Sequence, residues 1–123
     1  MKLYLEGEVI TREGSTDQEL LILVDGTVGI FKGDLKVAEF SDEGTILGEM
    51  SLILNRPRTA TIKAITDSHL IPLSADLYEL MKRYPDILKK IIKNLAERLM
   101  NLTDEYHNLA VKIDIRKDLT SIN

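Results

Sequence analysis

The feature that most constrains this chain is a change of period at Ser74. Before it, from residue 3 to about 72, the apolar residues come in short runs rich in β-branched side chains: Val9-Ile10, Leu20 to Val24, Val28 to Phe31, Val37 to Phe40, Ala60 to Ile65 and Leu70 to Leu73. Gly and Asp separate the runs, a spacing that predicts an all-β unit. Two dipeptides set the expected topology. Asp25-Gly26 stands between LLILV and TVGIF, and Gly33-Asp34 between GIF and LKVAEF. A two-residue hairpin needs positive φ, which Gly adopts without steric cost. Strands 20–24, 27–31 and 36–40 are therefore expected to form a meander. Many short antiparallel strands joined in this way pack as a sandwich, jelly roll or barrel.

After Ser74 the period lengthens. SADLYELMKRY offers Ser74 as a helix cap, and Pro85 ends that run and opens a second helix at its first turn, where a missing N–H costs nothing. In the second helix Leu88, Ile92, Leu95, Leu99, Leu102, Tyr106, Leu109 and Ile113 recur four and three apart, which holds them on one stripe. From Leu99 onward the pattern thins to a single seam, which suits a partner helix. A homodimer held by Leu99, Leu102, Tyr106, Leu109 and Ile113 is expected. The expected organisation is one domain over 1–123: a β-roll over about 1–74, helices over about 75–84 and 85–114, and a fraying polar tail over about 115–123.

A chain of 123 residues, 44% hydrophobic and 29% charged, can build one core but not two. Its 16 basic and 20 acidic residues give a net charge of -4 without any block of like charge, so there is no footprint for a polyanion and direct nucleic-acid binding is disfavoured. The absence of Cys removes disulfides, thiolate-ligated zinc, iron–sulfur clusters and cysteine nucleophiles together. MKLYLEGEV reaches charge and Gly at once, and no apolar run is long enough to span a bilayer, so a soluble cytoplasmic protein without membrane contact is expected. His69 and His107 stand in no metal-ligand spacing, and no metal site is expected. No Ser, His and Asp arrangement and no paired carboxylates carry a catalytic motif, so the expectation is that the chain is not an enzyme. The glycines of REGS and VDGT match neither a Walker loop nor a dinucleotide fingerprint.

The chemistry concentrates in LGEMSLILNRPRTATIKA, residues 47 to 64. Gly48 lets backbone approach a ligand, and a short helical turn after it would aim N–H groups at an anion. Arg58 supplies a planar fork for phosphate oxygens, and the Thr59 hydroxyl can donate to the same group. Glu49 would repel a phosphate but can accept from hydroxyls such as a ribose 2′-OH. A ligand carrying one phosphate beside one ribose hydroxyl satisfies both residues. Because Arg58 is assigned wholly to the ligand, its replacement by Ala is expected to abolish binding and leave the roll folded. Arg56 is expected to be solvated.

LGEMSL, five residues, then RTATIKA resembles the phosphate-binding cassette of the cyclic-nucleotide-binding domain family. GEVITREGSTDQELLILVDGTVGIF is similar to that family's opening strands, and YPDILKKIIKNLAERLMNLTDEYHNLAVKID resembles the dimerising helix of the cAMP receptor proteins, without the helix-turn-helix domain that follows there. The resemblance implies a jelly-roll β-roll followed by two helices, the second long. It implies that Glu49 binds the ribose 2′-OH and Arg58 the cyclic phosphate, with Gly48, Met50, Thr59 and Ala60 beside them. Ile30 and Ala38 look like pocket-wall positions. Leu102 stands where the bacterial receptor presents a Thr to the adenine, and Thr103 follows it. The implied ligand is cAMP or cGMP, with the base left open, and no further cofactor. The implied role is a sensor whose helices move on ligand capture and are read by a second copy or a downstream protein. The rival readings are a nucleotide-independent dimerisation module and the regulatory half of a transcription regulator.

Overall fold

A computed structural model describes residues 1–121, with the side chains of residues 1–117. The chain divides into two compact units, Met1–Tyr84 and Pro85 onward.

The first unit holds eight strands in chain order: β1 (Lys2–Tyr4), β2 (Val9–Thr11), β3 (Leu20–Asp25), β4 (Val28–Lys32), β5 (Leu35–Phe40), β6 (Ile46–Leu47), β7 (Thr61–Ala64) and β8 (Ser68–Leu73). A short helix, α1 (Glu49–Leu54), follows β6, and α2 (Leu77–Arg83) follows β8. The strands make two antiparallel four-stranded sheets, ordered β1-β8-β3-β6 and β2-β7-β4-β5. Leu21, Leu23, Leu47 and Leu70 from the first sheet meet Val28 and Ile62 from the second in one buried cluster, with Tyr4, Ile10, Ile30 and Phe40 packed against it. This is the antiparallel β-roll with helices after it that the sequence predicts. Each fully buried Leu or Ile in such a cluster contributes about 1.5–3 kcal/mol of transfer free energy.

The expected meander holds for one turn and fails for the other. Gly33-Asp34 closes a two-residue hairpin in which Lys32 pairs with Leu35, and Gly33 has φ 59°. Asp25-Gly26 instead carries the chain from one sheet to the other: β3 pairs with β8 and β6, never with β4. Long-range contacts hold this crossing. Asp25 Oδ1 accepts from the His69 backbone N–H at 3.0 Å, and the buried Ser68 hydroxyl donates to the Thr27 carbonyl at 3.2 Å. Gly26, at φ 89°, passes so close to Ser68 that a Cβ there would run into the Ser68 hydroxyl. A positive φ thus serves a hairpin at Gly33 and a sheet change at Gly26, and the local sequence does not distinguish them.

Two helix ends also differ from expectation. α2 is capped by Asp76 rather than Ser74: the Asp76 carboxylate accepts from the Glu79 N–H at 2.8 Å. A carboxylate at this position satisfies a free N–H and also complements the helix dipole. In the second unit, α3 starts at Pro85 and runs to Ser121, beyond residue 114, where the sequence predicts its end. Residues 115–121, expected as a fraying tail, continue the helix, since each added residue closes one more backbone bond on a nucleus already formed. The last two residues of that expected tail lie outside the described residues.

Candidate functional site

The site is built where β6 ends. Leu47 is buried in the core, and the next residue, Gly48, takes φ 85° and ψ 8°, turning the chain into α1. A side chain at Gly48 would meet the Arg58 Nη1 and would come within 2.9 Å of the Glu19 carbonyl oxygen. Glycine is required there twice over, by the dihedral and by the space. Because Gly48 has no side chain, the first turn of α1 carries no side-chain cap. The helix ends at Asn55, also left-handed at φ 51°, a conformation that Asn tolerates, and the Asn55 Oδ1 accepts from Gln18 Nε2 at 2.8 Å. This bond ties the end of α1 to the segment that precedes β3.

Arg58 lies beneath this turn and is only 4% exposed. Its Nη1 donates to the Gly48 carbonyl at 3.0 Å and to the Ser51 hydroxyl at 2.7 Å, while Nη2 donates to the Glu19 carbonyl at 2.6 Å. Asp17 Oδ2 is 3.5 Å from Nη2. The Ser51 hydroxyl, itself buried, donates onward to the Gly48 carbonyl at 3.1 Å. The Arg58 backbone is held as well, donating to the Ser15 carbonyl and accepting from the Gly14 N–H, both at 2.8 Å. One donor is left over: Arg58 Nε is buried with no hydrogen-bond partner among the described residues. An unsatisfied buried donor costs about 1–3 kcal/mol, more when charged, which an incoming acceptor would recover.

This corrects the expectation that Arg58 serves the ligand alone. Its guanidinium joins α1, the turn at Gly48 and the segment before β3, so the side chain is a structural tie as well as a donor. Ser51, Asp17 and Glu19 were not predicted as parts of the site. Ser51 sits inside the motif LGEMSL, whose pattern assigns its hydroxyl no role. Asp17 and Glu19 lie in TREGSTDQE, which carries no pattern; only the fold brings the Glu19 carbonyl, 39 residues away in sequence, to Arg58.

The other predicted residues fall in three groups. Gly48, Glu49 and Arg58 come together, with Glu49 buried at 7% exposure on the first turn of α1, Met50 exposed beside it, Thr59 exposed and Ala60 half-buried. The Thr59 carbonyl accepts from Lys32 Nζ at 2.5 Å, which brings a cation beside Arg58 in the chain. Ile30 and Ala38 are direct cross-strand partners on β4 and β5, both half-buried, and Ile30 also faces Ile62 across β7. Leu102 and Thr103 are exposed residues of α3, the Thr103 hydroxyl donating to its own helix at the Leu99 carbonyl. The seam residues Leu99, Leu102, Tyr106, Leu109 and Ile113 are all exposed, as is Arg56.

An open cleft of about 330 Å³ is lined by Leu52, Asp17, Glu19, Asp76 and Glu79 among others, and so shares Asp17 and Glu19 with the surroundings of Arg58. Its lining residues include four acidic and no basic ones, which disfavours a phosphate there. His69 pairs with Asp25 on the surface, Nδ1 to Oδ1 at 2.8 Å, and this hydrogen bond holds the Asp25 carboxyl below its ordinary value. Among the described residues no three His, Asp or Glu side chains gather as a metal ion requires, and no helix is long and apolar enough to cross a membrane.

Residues 1–84 match the family model described as the cyclic nucleotide-binding domain. The chain is 36% identical over 93 residues to the cyclic nucleotide-gated potassium channel RHE_CH03180 of Rhizobium etli, a match that takes in 75% of this chain and 26% of the channel. Among solved structures, the catabolite activator protein of Thermus thermophilus aligns with a TM-score of 0.76 at 30% identity, over 89% of this chain and 54% of that one. A structure of PKAR CBD2 bound to Sp-2Cl-cAMPS aligns with a TM-score of 0.63 at 31% identity, over 82% of this chain and 69% of that one. The chain spans 7% to 26% of the length of curated relatives such as the channel. The buried Arg and Glu at the turn after β6, on a roll of two four-stranded sheets, thus stand within a match that covers residues 1–84. The chain belongs to the cyclic nucleotide-binding domain family.

Proposed function

We propose that this chain is a sensor that binds a 3′,5′-cyclic purine mononucleotide, cAMP or cGMP, at the turn between β6 and β7, and that ligand capture biases the arrangement of its C-terminal helices. The observation that carries the reading is the buried Arg58 with its unpartnered Nε, set beside the buried Glu49. Arg58, with the N–H groups that open α1, would take the cyclic phosphate. Glu49 would accept from the ribose 2′-OH, and Gly48, Met50, Thr59 and Ala60 would complete the contacts. Ile30 and Ala38 would wall the sugar and base; Leu102 and Thr103 rest on the resemblance alone. A single negative charge placed against a preset guanidinium forms charge-assisted hydrogen bonds, roughly twice as strong as neutral ones.

The output would pass through α3. Leu99, Leu102, Tyr106, Leu109 and Ile113 are 46% to 75% exposed along one stripe, a pattern that supports a homodimer or a downstream protein partner. A ligand shifts such an arrangement only by as much as it prefers one state over the other.

Calorimetric titration with cAMP and cGMP, against 5′-AMP and after unfolding and refolding to strip any carried ligand, tests the reading. Micromolar or tighter binding of one cyclic nucleotide and not of 5′-AMP is expected. A refolded protein that takes up neither overturns the sensor.

A further inference from the structure

Of the residues around Arg58, Ser51 is the one whose position has no explanation in packing alone. It is 3% exposed, and a hydroxyl buried to that degree costs free energy unless both its donor and its acceptor capacities are used. Both are: it donates to the Gly48 carbonyl at 3.1 Å and accepts from Arg58 Nη1 at 2.7 Å, while Nη1 also reaches the Gly48 carbonyl at 3.0 Å. The three groups close a ring. With Nη2 on the Glu19 carbonyl, every acceptor of the guanidinium fork lies in the protein, and the donor left without a partner is Nε.

We propose that Ser51 is a positioning residue for the ligand's phosphate: its hydroxyl fixes the plane of the Arg58 guanidinium so that the Nε–H, rather than the fork, is kept for the anion. The proposal rests on the cyclic-nucleotide reading for its ligand but not for its geometry. A guanidinium has rotatable stems and five donors in one plane. Holding Nη1 and Nη2 by acceptors on two sides removes that freedom before the ligand arrives, so less order has to be created on binding. Ser51 makes no contact with the ligand in this scheme. It acts through Arg58, and an alanine there would leave the Gly48 and Glu19 carbonyls in place while freeing one edge of the fork.

Two measurements on the same Ser51→Ala protein test this. The first is ¹⁵N NMR of the arginine side chains in the free protein, which reads rotation about the Arg58 Cζ–Nη bonds. Separate, slowly exchanging Nη resonances are expected in the wild type and averaged ones in Ser51→Ala, with Ser51→Thr restoring the separation because it keeps the hydroxyl. Identical Arg58 spectra in wild type and Ser51→Ala would overturn the proposal.

The second is titration with a cyclic ribonucleotide and its 2′-deoxy analogue. Affinity for both should fall by about tenfold, the size expected for one hydrogen bond to a charged group. The ratio between the two should stay at its wild-type value, since Glu49 is untouched. A general loosening of α1, which carries Glu49 as well as Ser51, would collapse the ratio together with the affinity, and that result would also overturn the proposal, as would undiminished affinity. If the wild type takes up no cyclic nucleotide while its Arg58 resonances still depend on Ser51, the sensor reading fails and the Ser51 hold on Arg58 stands.

Discussion

Two regions of this molecule invert the usual placement of charge and apolar surface, and they do so in opposite ways. Beneath α1 a guanidinium is 4% exposed, whereas along α3 a stripe of large apolar side chains includes Leu109 at 57% and Tyr106 at 75%. The buried charge is accounted for within its own unit: the Gly48 and Glu19 carbonyls, the Ser51 hydroxyl and the Asp17 carboxylate surround the fork, and only Nε lacks a partner. The exposed stripe has no such accounting. A buried polar group must be satisfied where it stands, because the penalty for leaving it bare is paid in every folded molecule. Exposed apolar surface costs less per residue, so it can wait for a partner.

Breaking the first region should have the largest effect. Arg58→Ala removes the proposed phosphate donor and strands the buried acceptors around it, so cyclic-nucleotide binding should be lost and the unfolding free energy should drop by about 1–3 kcal/mol, the cost of leaving a buried polar group without its partner. Denaturant melts and titration read the two consequences separately. A melt that matches the wild type would mean that Arg58 is not the tie described here.

The second region should respond next. Leu109→Asp puts a charge in the centre of the proposed seam, and the dimer dissociation constant should rise by about a hundredfold or more, given several kcal/mol for a carboxylate facing apolar neighbours. Sedimentation equilibrium checks this, and a dimer that persists at the same concentration would move the interface elsewhere. The melt of the first unit should be unchanged, which sharpens the contrast between a self-contained region and one that waits for a partner.

A smaller change is expected at Glu49. Its replacement by Ala should reduce the preference for ribo- over 2′-deoxyribonucleotide by about tenfold, one hydrogen bond to a charged acceptor. A preference left intact would remove Glu49 from the sugar.

The least effect belongs to Asp25, whose ion pair with His69 lies on the surface and shows what a charge contributes when water surrounds it. Its carboxyl is held below the ordinary value of 3.8, chiefly by the His69 side-chain hydrogen bond. A carboxyl depressed in the folded state adds stability that is fully present above the unfolded value and is lost as pH falls through the folded one. Asp25→Asn should therefore flatten the decline of stability below about pH 4 and leave binding alone. A wild-type acid limb in that variant would show that the pair contributes nothing to folding.

Six of the eight strands were legible because each is a short apolar run between turn residues, with β3, β4 and β5 falling within a residue or so of the runs that predict them, whereas β1 and β6, at Lys2–Tyr4 and Ile46–Leu47, are too short to stand out as such runs. Gly48, Glu49 and Arg58 were legible for a different reason: their spacing follows a family pattern, and α1 forms where a helical turn was expected. The failures share one cause. Asp25-Gly26 looks like a hairpin turn as much as Gly33-Asp34 does, and Ser74 looks like a cap as much as Asp76 does. In each pair the decision was made by a contact with another segment or by the exact point at which the helix begins.

The sequence by itself determined six of the eight strands, where the roll gives way to helices, and the spacing that sets Gly48, Glu49 and Arg58 in a family pattern, because periodicity, turn residues and motif spacing act over a few neighbours along the chain. Tertiary structure alone decided that β3 crosses to a different sheet from β4, that Arg58 is buried, and that a hydroxyl at Ser51 and a carbonyl at Glu19 hold it. Strand pairing and burial depend on contacts between residues tens of positions apart, and the cost of leaving a guanidinium unsatisfied appears only once the surrounding segments have closed around it.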